Sequence, residues 1–223
     1  MLKEMVLLWK GNSVMEKAID TFHTMLGDCH ILFEKAWNVY AGKMDIENHS
    51  DDIHSRDKSI NEKEREIRRL LVEHLTLKPG TDSSGCLALM SMVKDAERIG
   101  DYSKNIYDLS SMSGGRTCGL THADTIEKIR DAIALSLGEL QQAFKASNEH
   151  MAKRILDRYI ATKPLCKEIV KNIYSEEISR QDALVCILLT QYLKRINSHV
   201  GNVASGIIFP LDKIDFVRAG LLD

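Results

Sequence analysis

Apolar residues recur at spacings of three and four along almost the whole chain, the period of a helix that buries one face. The pattern predicts six long helices. The first runs from about Ser13 to Gly42, with Ala18, Phe22, Met25, Cys29, Leu32, Ala36 and Val39 on one face, Asn12 or Ser13 to cap its start and Gly42 to end it. The second spans about Ser50 to Lys78, carries Ile53, Ile60, Ile67, Leu71 and Leu75 on its stripe, and stops at Pro79-Gly80. The third follows Thr81, a capping residue type, and passes through Leu89, Val93, Ala96 and Ile106 to about Leu109. A run of small residues from Ser110 to Leu120, with Gly114, Gly115 and Gly119, then breaks the periodicity near mid-chain. Thr121 and Asp124 make a capping pattern for a fourth helix, whose face of Ile126, Ile129, Ile133, Leu137, Leu140 and Phe144 reaches about Ser147. The fifth covers about Glu149 to Tyr174, kinked or interrupted at Pro164, and the sixth runs from about Ser179 to Phe209, where Pro210 stops it.

Three helices, a glycine-bearing link and three more helices imply an internal duplication. Residues 96–106 lie over residues 193–203 with Arg98 matching Arg195, Ile99 matching Ile196 and Asn105 matching Asn202. The expected fold is all-α, two tandem three-helix bundles: a first repeat over 1–112, a linker over 113–120 and a second repeat over 121–223.

Composition narrows the function classes. With 223 residues and 44% hydrophobic content the chain can bury a sizeable core. Lys plus Arg number 30 against 32 Asp plus Glu, so bulk charge gives no case for nucleic acid or an anionic membrane surface. The longest apolar runs, Val185–Leu189 and Ile207–Leu211, fall far short of the roughly 20 residues that cross a bilayer. The apolar patch Met5–Trp9 is too short for a signal-peptide core and reads as the first turns of a helix or a docking segment, through which a homodimer could form. The five cysteines are odd in number, widely spaced and never C-x-x-C, which argues against a disulfide framework or a zinc knuckle and fits a reducing cytoplasm.

Candidate chemistry gathers on the second and third helices. Leu89, Val93, Glu97, Asp101 and Asn105 are four apart and form one row that starts apolar and turns acidic. Asp57 and Asn61 sit four apart between Ile53 and Ile60 and beyond, with Glu64 a further turn along. Carboxylates converging from facing bundle helices build sites for hard metals such as iron, manganese, magnesium or calcium. Alternatively the same acids lie at the stripe's edge and pair with Arg98, Arg56 or Lys58 in solvent, where such pairs contribute about 0–1 kcal/mol. The eight histidines show no H-E-x-x-H spacing, and no P-loop, G-x-G-x-x-G or G-x-S-x-G occurs. No nucleophile stands beside a base and an orienting group, so an enzyme reading lacks its geometry. Met90, Met92 and Met112 with Leu87 and Leu89 offer a surface for a partner helix, although methionines of this kind ordinarily fill gaps in a core.

The run from Lys94 to Ile106, with Glu97-Arg98-Ile99-Gly100-Asp101 and Asn105-Ile106, resembles the PhoU family signature, and Arg56-Asp57-Lys58-Ser59-Ile60-Asn61 resembles that family's second-helix motif. The similarity extends over nearly the whole chain, including the run Tyr192 to Asn202. The resemblance implies two packed three-helix bundles and a non-enzymatic, cytoplasmic regulator of phosphate uptake that contacts a phosphate transporter or a phosphate-sensing histidine kinase. It would reach the membrane only through such partners. It also implies metal, iron or manganese or another hard divalent ion, at paired E(D)-x-x-x-D motifs. Glu97 and Asp101 match one motif, Asp57 begins its partner, and Asn61 stands where an acid is usual. In the second repeat Lys194 and Ser198 occupy the acid positions and the fifth helix offers only Asp157, so that repeat is expected to keep the fold without the cluster. Family relatives also occur as C-terminal domains of sodium–phosphate cotransporters; the lack of a membrane portion and the start at Met1 favour a free-standing protein. The competing reading is a metal-dependent enzyme or metal-storage bundle that uses Asp57, Glu97 and Asp101.

Overall fold

The structure, a computed structural model, describes residues 2–80, 82–115, 118 and 120–215. Within them the chain forms seven α-helices and no strand: α1 Leu2–Trp9, α2 Ser13–Tyr40, α3 Ile46–Leu77, α4 Ser83–Ser113, α5 Leu120–Lys145, α6 Glu149–Ser175 and α7 Arg180–Ile208. A single 3-10 turn, Leu211–Lys213, follows.

Local chemistry accounts for the boundaries. The Asn12 side chain accepts from the backbone N–H of Val14 and opens α2, as the sequence suggests. Helix α3 begins four residues before the expected Ser50 because Asp45 caps it, accepting from the Asn48 N–H at 3.1 Å. The proposed cap Thr81 lies outside the described residues; α4 starts after Asp82, which takes a left-handed conformation. Gly114 closes α4 at φ 62°, where a residue without Cβ is unstrained. The Thr121 side chain and Gly119 also lie outside the described residues. Ser179 caps α7 and Asn148 caps α6. Pro164 does not interrupt α6, which runs through it to Ser175. The proline sits on the exposed side, where a carbonyl deprived of its helical donor can turn to water.

Helices α2, α3 and α4 pack pairwise into one bundle, and α5, α6 and α7 into a second. The bundles join along α2–α5 and α4–α7, so one continuous core runs through both. On the first joint Phe22 meets Phe144 edge-on at 4.8 Å, a favoured aromatic geometry. On the second, close approach depends on a missing side chain: a Cβ on Gly206 would lie 2.5 Å from Met92 Sδ. Met92 is core, as the packing explanation required, whereas Met112 is 83% exposed. The N-terminal patch splits in the same way. Trp9 is buried, Val6 packs against the core beside it, and Leu7 faces solvent. No helix among the described residues is long and apolar enough to cross a membrane.

Candidate acidic seam and inter-bundle polar cluster

Helices α3 and α4 approach closely where Gly100 faces Ile60; a Cβ there would stand 3.1 Å from Ile60 Cδ1. That approach brings Asp57 of α3 and Asp101 and Glu97 of α4 to one seam. Burial raises the Asp57 carboxyl above its ordinary range, and the charges of Asp101 and Glu97 push it the same way against the pull of Lys104. Burial likewise raises Asp101, with Glu97 adding to the shift and Arg98, Lys94 and Lys104 opposing it. Glu97 is only 8% exposed. Asn61 is half-buried on α3, one turn beyond Asp57.

Cationic side chains meet these acids. Lys94 Nζ lies 2.7 Å from Glu97 Oε2 and 3.5 Å from Glu64 Oε1. Arg98 reaches Asp101 at 3.2 Å, and Arg68 reaches Glu64 at 2.8 Å. Glu64, buried and held by Arg68 and Lys94, extends the seam by a turn. Arg56 and Lys58, proposed partners from the sequence, turn elsewhere: Arg56 to Asp52 and Asp28, Lys58 to Glu62. The donor chemistry suits a hard cation in kind, with oxygen ligands whose mutual repulsion a metal would relieve. In arrangement, no group of three His, Cys, Asp or Glu side chains among the described residues is gathered for a metal.

The corresponding seam of the second bundle is different. Asn197 of α7 donates to Thr162 Oγ1 of α6 at 2.6 Å, Ser198 bonds back to the Lys194 carbonyl, and Asp157 is exposed. Lys194 lies close enough to Cys166 to act on its thiol.

A second polar group lies between the bundles, and the sequence did not single it out. Asp95 of α4 is 6% exposed, yet His199 Nδ1 of α7 stands 2.7 Å from its Oδ1 and Asn202 Nδ2 donates to the same oxygen at 2.9 Å. An ionised carboxylate can only accept, so this contact calls for a hydrogen on His199 Nδ1. The ring of Tyr102 stacks on His199 at 5.8 Å. Asp215, exposed at the edge of this group, has its carboxyl raised to about 6 by partial desolvation and by the Asp95 charge, against His199 and a hydrogen bond from Ser91. His199 and Asn202 both belong to the repeated run Tyr192 to Asn202, but nothing in sequence order ties them to Asp95 more than a hundred residues away.

The cysteines require a correction. Cys118 and Cys186 are joined as a disulfide, whereas Cys29, Cys86 and Cys166 are buried single thiols. Odd number and wide spacing argued against pairing, but Cys118 lies against Cys186 of α7, a contact that spacing does not encode.

Compared with known proteins, residues 15–109 match the family model of the PhoU domain. The fold is similar to the crystal structure of PhoU from Pseudomonas aeruginosa, with a TM-score of 0.78 at 20% identity over 91% of this chain and 98% of that one. It is also similar to the phosphate transport system regulatory protein PhoU from Streptococcus pneumoniae, with a TM-score of 0.65 at 17% identity over 92% of this chain and all of that one. No curated protein matches the chain in sequence.

Proposed function

We propose that this chain, in which residues 15–109 form a PhoU domain within a PhoU-like fold of two tandem three-helix bundles, is a non-enzymatic regulator of phosphate uptake. It works from the cytoplasm by protein contact, with a phosphate transporter component or a phosphate-sensing histidine kinase as partner. The observation that carries this reading is the PhoU domain itself, which spans α2, α3 and most of α4 and contains the acidic seam. Further support comes from a groove of about 290 Å³ between the ends of α4 and α7, lined by Leu109, Met112, Leu184, Val185 and Leu188 among others. Met112 and Leu184 are exposed there, and a patch of that character on a soluble surface suits a protein partner. Deleting the gene in its host should release uptake of radiolabelled phosphate in phosphate-rich medium, and returning the intact chain should restore restraint. Unchanged uptake after deletion would refute the regulatory reading.

Iron, manganese or another hard divalent metal at Asp57, Asn61, Glu97 and Asp101 belongs to the same reading. When bound, the ion would supply the positive charge that Lys94, Arg98 and Lys104 otherwise bring. The support is the convergence of three carboxylates whose charges raise Asp57 and Asp101. Elemental analysis of protein purified without chelator or tag metal, wild type beside a Glu97→Ala, Asp101→Ala double variant, tests it. Stoichiometric metal lost in the variant is expected; metal absent from both removes the ion and leaves the regulator.

A further inference from the structure

The inter-repeat link carries Cys118, and this residue is fastened from two sides. Its backbone N–H donates to Tyr40 Oη at the end of α2, 2.9 Å away, and its sulfur is joined to Cys186 on α7. The two Cα atoms are 4.7 Å apart, inside the range a disulfide spans without backbone movement. Both residues are buried, but a cleft of about 190 Å³ lined by Trp37, Tyr40, Cys118, Ile126 and Leu189 lies beside Cys118, the more exposed of the two at 8%. Cys186 directly follows Val185, which lines the apolar groove between α4 and α7. The other three cysteines have no such arrangement. Cys29 donates its thiol hydrogen to the Ala96 carbonyl, and burial raises the thiols of Cys86 and Cys166 to about 11 each, which keeps them protonated and inert.

We propose that Cys118 and Cys186 are a reversible thiol–disulfide latch that covalently fastens residue 118, between the two repeats, to α7. The oxidant is a low-molecular-weight disulfide of the glutathione class. One cysteine thiolate attacks a sulfur of that disulfide and expels one small thiolate, leaving a mixed disulfide on the protein. The second cysteine thiolate then attacks the protein sulfur of the mixed disulfide and expels the other small thiolate. The protein loses two electrons and two protons, and the small disulfide gains them to become two thiols. An excess of reduced small thiol runs the same steps backwards. In a compartment that keeps thiols reduced, a bond of this kind is transient and reports redox state.

The intact chain, purified reduced and then equilibrated with oxidised or reduced glutathione, gives the test. After oxidation and denaturation a thiol reagent should titrate only Cys29, Cys86 and Cys166, the intact mass should fall by about 2 Da, one disulfide per molecule at about 1 Da per hydrogen lost, and a peptide map should join Cys118 to Cys186. Reduction should restore all five thiols. A Cys118→Ser variant should form no internal disulfide under the same conditions. Closing so long a loop should raise Tm by roughly 10 °C in the oxidised wild type and not in the variant. All five thiols titrating after oxidation, a bond to any other cysteine, or a bond that native protein cannot reopen with reduced glutathione would each overturn the proposal.

Discussion

Replacing His199 with alanine tests whether the polar group between the bundles contributes to stability. The change removes the closer of two donors to Asp95 and leaves a carboxylate that is 6% exposed with Asn202 alone. Removing one donor from a buried acceptor costs roughly 1–3 kcal/mol, more where the acceptor is charged, because it keeps its desolvation without that partner. The His199 side chain is 18% exposed, so water can enter the space it vacates and replace part of the lost hydrogen bond. A loss of about 2–3 kcal/mol is therefore expected. For a chain of this length each kcal/mol moves Tm by roughly 2–4 °C, so His199→Ala should melt about 4–12 °C below wild type. Urea unfolding followed by circular dichroism measures the free energy directly. A cycle with Asp95→Ala isolates the contact: the double variant should lose at least about 1 kcal/mol less than the two single losses added. Additivity within about 0.5 kcal/mol, or a His199→Ala loss below that figure, would show that the helices pack α4 to α7 without help from this group.

Two further outcomes concern Asp215 beside that group and the packing of α7 on α6. Because the Asp215 carboxyl is raised in the folded chain to about 6, the folded state holds more protons than the unfolded one between about pH 4 and 6. Its ionisation opposes folding, so stability should rise as pH falls through 6, and Asp215→Asn should flatten that part of the urea-midpoint profile and stabilise the protein at pH 7. Gly201→Ala should cost about 1–3 kcal/mol, read from Tm, because the added Cβ would stand 3.0 Å from the rigid Tyr159 ring; an unchanged Tm would mean that α6 and α7 separate freely.

Helix periodicity alone located every long helix to within a few residues, because a bundle helix must repeat its apolar face for as long as it stays packed. The departures have local causes. Asp45 begins α3 early, and Pro164 is tolerated because it lies on an exposed face. The acidic row Glu97 and Asp101 was legible since i and i+4 positions share a side of one helix, and Asp57 could be matched to it by its place between Ile53 and Ile60. Their cation partners were less so. The sequence suggested Arg98, Arg56 and Lys58; Arg98 does meet Asp101, but packing gave Arg56 to Asp28 of α2 and Asp52 of α3 and brought Lys94 round to Glu97 and Glu64. The Asp95–His199 contact and the Cys118–Cys186 pair were illegible for a different reason, since each joins the two halves of the chain and depends on how the bundles dock.

That docking also explains why the motif of α4 is so dense. Successive residues of this helix are turned toward three different neighbours. The Ala96 carbonyl receives the Cys29 thiol of α2, Gly100 admits Ile60 of α3, and Asp95 accepts from His199 and Asn202 of α7. Glu97 and Asp101 occupy the remaining edge. A peripheral helix of such a bundle needs one apolar stripe and can vary the rest. Helix α4 has little solvent-facing edge to vary between Asp95 and Asp101, so each position there must suit a particular contact. The family match, residues 15–109, covers the bundle that contains α4 and ends near that helix's last buried turn. Helix α7 packs on α4 just as closely, yet its outer edge carries Lys194 and Ser198 instead of acids, and the second bundle keeps its architecture through Asn197 and Thr162. The fold thus requires the shared interface and the small residues that permit close approach, whereas the acidic edge is a property that one repeat has and the other folds without.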